Sequence, residues 1–176
     1  MQRRHPPLPR LWLMTDERMG ERLWDVLERL PRGAGVIFRH YALPPAERRA
    51  LFARVLRTAR RRRLVLLRAG GMPMRGEMGT HGRRERSRGL RSFPAHDRRE
   101  AIAAVRAGAD LLLVSPVYPT RSHPGARTLG RVGLGQVIRE TGTPVIALGG
   151  MNAANARGLR ALNIHGWAAI DAWTGG

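Results

Sequence analysis

Two loops of this chain carry the residue types from which a ligand site could be built. The first, SPVYPTRSHPGARTLG over Ser115–Gly130, follows the apolar run Leu111–Val114; the second, the Gly149–Gly150 pair, closes the run Val145–Leu148. A Gly pair between a strand and a helix, with Asn152 placed to cap that helix, can present backbone N–H groups to a phosphate, because glycine lets an anion approach the backbone closely. The same pair can also be only a tight turn. Thr120 and Ser122 could hydrogen-bond a ring nitrogen or a phosphate oxygen, or simply shape a Pro-rich loop. A second constellation is dispersed: His40, His81, His96 and His123 each fall near the C-terminal end of an expected strand, with Asp16 and Asp171 on the first and last. Imidazoles and carboxylates in such a ring could transfer protons or bind a transition metal. No two of these histidines lie one helical turn apart, so the plainer reading is a set of solvated polar residues, and no metal site is expected.

The elements that must position these residues alternate. Strands are predicted at Leu11–Met14, Gly35–Phe38, Leu64–Leu67, Leu90–Ala95, Leu111–Val114, Val145–Leu148 and Trp167–Ile170, with a weak eighth around Met78–His81. Between them, helical spacing of apolar residues predicts helices over Gly20–Leu30, Pro44–Arg60, Asp97–Ala107, Leu134–Thr141 and Asn152–Leu162. In the second of these, Ala50, Leu51, Val55 and Leu56 are expected to face inward. Alternating strands and helices imply parallel strands joined by right-handed crossovers. The expected fold is therefore an α/β chain, a shortened (β/α)8 TIM barrel with eroded third and fourth βα units and no full closing helix. Ligands of such barrels sit where strands run out into βα loops, and phosphates favour the loops after the late strands. A bare outer surface beside the last strand would suit a homodimer partner.

Composition bounds the function classes. At 176 residues, 1–176 is expected to be a single barrel domain, with residues 1–9 a flexible basic N-terminal segment. No apolar run approaches the roughly 20 residues of a membrane span. The basic start MQRRHPPLPR is followed only by the short LWLM, so no secretory leader is expected. The absence of cysteine excludes disulfides and thiolate metal sites, and a cytoplasmic setting is the default. The net charge is +19, and every basic residue of the 32 is Arg. Such a field attracts phosphates of any kind. With no nucleic-acid-binding motif or stacking aromatic cluster beside it, a dedicated nucleic-acid function is not expected.

The quoted loops, extended to GADLLLVSPVYPTRSHPGARTLG (Gly108–Gly130) and TPVIALGGMNAANARGLRALNIHGWAAIDA (Thr143–Ala172), resemble the thiamine-phosphate synthase and TenI-like family. LWLMTDER at Leu11–Arg18 and GVIFRHYAL at Gly35–Leu43 extend the resemblance. It implies a TIM barrel, usually dimeric, that binds thiazole phosphate. In the synthase that thiazole attacks a pyrimidine carbocation formed by loss of Mg²⁺-bound pyrophosphate. On this resemblance Thr120 and Ser122 match the loop hydroxyls, Gly149 and Gly150 the phosphate-binding turn, and His123 stands where a basic residue is expected. Asp171 replaces a phosphate-holding Ser. The family's Gln, Arg and Lys after the second strand become Ile37, Arg39 and Tyr41, and its Asn-Asp pair after the third becomes Arg68-Ala69. A second metal-binding Asp has no counterpart in Thr80–Glu85, and Pro94 replaces a Ser although His96 is kept. Pro116 stands where the tautomerase branch carries its catalytic His. The resemblance thus implies a binder of thiazole phosphate or a thiamine phosphate-like ligand, with Arg39 and His96 as catalytic candidates, no Mg²⁺ cofactor, and synthase activity weak or lost. A non-catalytic binding protein and an Arg-rich nucleic-acid accessory are the alternatives.

Overall fold

Runs of four to six apolar residues buried on both faces suit the strands of a parallel barrel, where side chains alternate between the lumen and a covering layer. The structure, a computed structural model, describes residues 7–83, 89–121 and 124–173. It contains β1 (Leu11–Met14), α1 (Arg22–Arg29), β2 (Gly35–Phe38), α2 (Pro45–Arg62), β3 (Val65–Ala69), β4 (Gly79–His81) and β5 (Leu90–Ala95). These are followed by α3 (Arg98–Arg106), β6 (Leu111–Val114), α4 (Gly130–Ile138), β7 (Val145–Leu148), α5 (Ala153–Gly158) and β8 (Gly166–Ala169). Each strand pairs in parallel with the next, and β8 pairs with β1 through Leu13↔Ala169, closing the barrel.

The lumen is filled by Trp12, Met14, Ile37, Leu67, Leu111, Leu113, Ile146 and Ala168. Their neighbours Leu13, Val36, Phe38 and Leu66 pack outward against α1 and α2. Leu112, Val114, Val145 and Ala147 pack outward with residues of α3 and α4 such as Ala101 and Leu134. Each fully buried large side chain contributes about 1.5–3 kcal/mol of transfer free energy.

Among the described residues no helix follows β3 or β4, as the irregular Arg- and Gly-rich sequence there implies. α4 starts earlier than its apolar spacing suggests, at Gly130, and ends at Ile138; the expected helix over Asn152–Leu162 is divided into α5 and a 3₁₀ turn, Arg160–Leu162. On α2 the inward face differs from expectation: Ala50 is exposed, and Arg48, Phe52, Val55, Leu56 and Ala59 are the buried residues. Beyond β8 the 3₁₀ turn Asp171–Trp173 stacks Trp173 on Trp167 at 5.1 Å, covering part of the surface expected to be bare. Within the expected flexible N-terminal segment, Pro9 is buried and accepts the Trp12 indole N–H at 2.8 Å, and His165 Nε2 lies 3.0 Å from the Leu8 carbonyl.

Candidate ligand site

The C-terminal ends of β2 and β5–β8 enclose a cavity of about 510 Å³. Its wall joins the two loops singled out in the sequence: Ser115, Pro116, Pro119 and Thr120 after β6, and Gly149–Asn152 after β7, with Arg39, His96, Arg121 and Asp171 around them. The loops are held together by backbone bonds, Val117 N–H to Leu148 O at 2.9 Å and Tyr118 N–H to Gly149 O at 3.1 Å. This close approach explains both glycines. Gly149 and Gly150 have φ of +91° and +60°, and a Cβ on Gly150 would lie 2.4 Å from the Pro119 carbonyl oxygen. Asn152 caps α5 as expected, its Oδ1 accepting from Asn155 N at 2.9 Å. Ser122 and His123, the other two loop residues expected here, lie outside the described residues.

The alternation of β1 and β2 carries Asp16 and Arg39 to the inner side of the mouth, in phase with Met14 and Ile37. Asp16 accepts from Arg39 Nη2 at 3.1 Å and from Arg18 at 2.7 Å and 3.2 Å. Hydrogen bonding by the Arg18 guanidinium, reinforced by its charge and that of Arg39, holds the Asp16 carboxyl below its ordinary range. Arg39 Nε is buried without a hydrogen-bond partner. On the far side of the cavity Arg121 Nε lies 3.4 Å from Asp171 Oδ2. His96 is at the cavity edge, half-exposed, with Nδ1 2.8 Å from Glu100 Oε2.

Three residues expected at the mouth are placed elsewhere. His40 is out of phase with Arg39; it stacks on Phe38 at 4.9 Å and pairs with Thr15 Oγ1 at 3.0 Å, and burial pushes its pKa down. Tyr41 is exposed beyond it, within 5.8 Å of the Arg48 guanidinium, and does not line the cavity. Arg68 shares the outward face of Leu66. Its Nε meets Glu77 Oε2 at 2.5 Å, its Nη2 meets Glu77 Oε1 at 3.2 Å, and it also donates to the Gly70 carbonyl. Guanidinium and carboxylate pair on the outer face of β3, in the connection to β4 that contains no helix. His81 does face the lumen. Its Nδ1 pairs with the fully buried Ser92 Oγ at 2.9 Å, and burial, then the charge of Arg39, lowers its pKa to about 4. Among the described residues no three His, Asp or Glu side chains converge as a metal site would require.

Two residues of consequence escape sequence reasoning. Arg121 adjoins Thr120 in a loop whose course local pattern does not give. Arg48 is 5% exposed and donates to Arg39 O, His40 O and Ala69 O at 2.8–3.2 Å, tying together the ends of β2 and β3. Its signal was present, since Arg48 lies in helical phase with Phe52, Val55 and Ala59.

A family model described as thiamine monophosphate synthase matches residues 92–173, from β5 to the turn after β8. Over that stretch the chain is similar to the thiamine monophosphate synthase family. A thiamine-phosphate synthase of Pyrococcus furiosus is 38% identical over 76 residues, covering 43% of this chain and 37% of that protein. One of Geobacillus kaustophilus is 41% identical over 80 residues, covering 44% and 36%. The aligned stretches therefore span little more than a third of these curated relatives. The solved structure of thiamine phosphate pyrophosphorylase from Pyrococcus furiosus superposes with a TM-score of 0.76 over 93% of this chain and 86% of that one, at 22% identity. That likeness extends the fold, though not the function, across the N-terminal half. Every residue that lines the cavity, apart from Arg39, falls inside the matched segment.

Proposed function

We propose that this chain binds a phosphorylated small molecule of the thiazole phosphate type in the β6–β8 cavity, in the cytoplasm, with Mg²⁺-dependent synthase turnover weak or absent. The observation that carries the reading is the convergence of Thr120, Gly149–Gly150, Arg39 and Arg121 on one cavity of about 510 Å³, within the range of small-molecule sites. The names of the aligned relatives supply the ligand class. Arg39 and Arg121 offer charge to the anion, and the Thr120 hydroxyl and the Gly149–Asn152 turn offer hydrogen bonds beside it. The apolar walls, Pro116, Leu148, Met151 and Ile170, suit a ring.

The Mg²⁺ that the family implies does not fit the residues present. It needs several hard oxygen donors in near-octahedral array. At the end of β3 stand Arg68, turned outward onto Glu77, and Ala69, which offers a methyl group. Both Asp16 oxygens accept from guanidinium groups. His96 and Asp171 are titratable side chains on the cavity wall with access to a ligand proton.

Thermal-shift titration with thiazole phosphate and thiamine phosphate tests the binding claim. At ten times Kd a ligand stabilises the fold by about 1.4 kcal/mol, which is roughly 3–6 °C for a chain of this size. No shift at millimolar ligand overturns the proposal. A synthase assay with thiazole phosphate, pyrimidine pyrophosphate and Mg²⁺ tests the second claim, with little or no product expected.

A further inference from the structure

Both guanidinium groups that line the cavity already have a carboxylate partner, and the two partners differ in kind. Asp16, beside Arg39, is 10% exposed at the side chain, is also bound by Arg18, and lies behind the cavity wall. Asp171, beside Arg121, lines the cavity itself and is 36% exposed at the side chain. The β7–β8 register, Leu148↔Ala168, brings Asp171 level with Met151, next to the Gly149–Gly150 turn. A ligand entering the cavity therefore meets a carboxylate at the place where its anion would be held. The Arg121–Asp171 contact is long, at 3.4 Å, and exposed on the Arg side, the kind of ion pair that contributes little to stability and is easily exchanged.

Resting on the binding function proposed above, we propose that Asp171 is a specificity-determining residue: its carboxylate competes with the ligand's phosphoryl group for Arg121 and biases the cavity against dianions. Two effects act in the same direction. Like charges a few ångströms apart repel through a partly screened medium, and the cation that would offset the repulsion is already engaged. The cavity consequently takes phosphate monoesters at lower affinity than its apolar walls and two arginines would otherwise allow. It discriminates less than expected between a phosphorylated ring and its neutral alcohol.

The test is calorimetric titration of the wild type, Asp171→Asn and Asp171→Ser at low salt with three probes: thiazole phosphate, the corresponding thiazole alcohol, and inorganic phosphate. Both variants are expected to bind the two phosphate-bearing probes about tenfold tighter while leaving the alcohol unchanged. The gain should shrink at 0.5 M salt and disappear when Arg121→Ala is added. Unchanged or weaker thiazole phosphate binding in the variants, with the wild type still binding, overturns the role of Asp171 and leaves the cavity's function standing. Equal tightening of the alcohol also overturns it, since the effect would be one of shape. Binding by the variants alone supports the competition while removing the function proposed for the wild type. If none of the three proteins binds a phosphate-bearing probe, both fall.

Discussion

The two halves of the barrel mouth use the same side chains for opposite ends. On the β5–β8 side, polar residues at strand ends turn inward and line a cavity: Thr120, Arg121, Asp171 and the Gly149–Asn152 turn. On the β2–β4 side only Arg39 reaches the cavity, and other polar residues take structural roles. Arg68 pairs with Glu77 on the outward face of β3, and Arg48 of α2 ties the carbonyls of Arg39, His40 and Ala69 together. The half that lines the cavity is also the half matched by the family model. A basic residue at a barrel mouth is thus ambiguous until its phase along the strand is known, because one residue of offset exchanges ligand contact for structural support.

This contrast is sharpest where the outward half is cut. Arg68→Ala leaves the Glu77 carboxylate poorly exposed and without its cation, which should cost about 3–5 kcal/mol in urea unfolding. The double change Arg68→Leu with Glu77→Leu should recover most of that. Neither protein, where folded, should bind thiazole phosphate differently; a clear loss of affinity would show that Arg68 reaches the ligand and that the halves are not separate. Arg48→Met removes a buried donor from three carbonyls and should lower stability by about 2–3 kcal/mol, read in the same denaturation experiment. Gly150→Ala acts on the other half. It forces a methyl group against the Pro119 carbonyl at a positive φ, for about 1–2 kcal/mol of stability. Unlike the first two variants it should abolish thermal shift by ligand.

A further effect is one of pH, confined to acidic solution. His81 titrates at about 4 in the folded chain against an ordinary 6.5. As pH falls below 6.5 the unfolded chain takes up the proton first, so stability declines between pH 6.5 and 4 and is unaffected by this group above that window. His81→Gln should flatten that part of the stability profile, and a profile that keeps its slope would place the ring in water instead.

Much of this architecture could be read from residue pattern. The strands Leu11–Met14, Gly35–Phe38, Leu90–Ala95, Leu111–Val114 and Val145–Leu148 have the expected bounds, and even the weak segment before His81 is a strand. Short apolar runs bounded by Gly, Pro and Asp signal buried strands strongly because both faces must be apolar. On α2, Ala50 is exposed because a small apolar residue is tolerated in water, whereas the charged Arg48 of the same helix is buried. Its guanidinium is tolerated inside only because three strand-end carbonyls await it, and no local pattern shows them.

By itself the sequence determined the parallel α/β barrel, the lack of a helix between β3 and β4, and the Pro-rich loop and Gly-Gly turn as elements at strand ends. These depend on local periodicity and turn chemistry, which are written residue by residue. Only the tertiary structure decided which way each strand-end side chain points. It turned Arg39 into the cavity and Arg68 and His40 away from it, and it set Arg121 against Asp171. Those outcomes depend on strand phase and on charges brought together from distant parts of the chain.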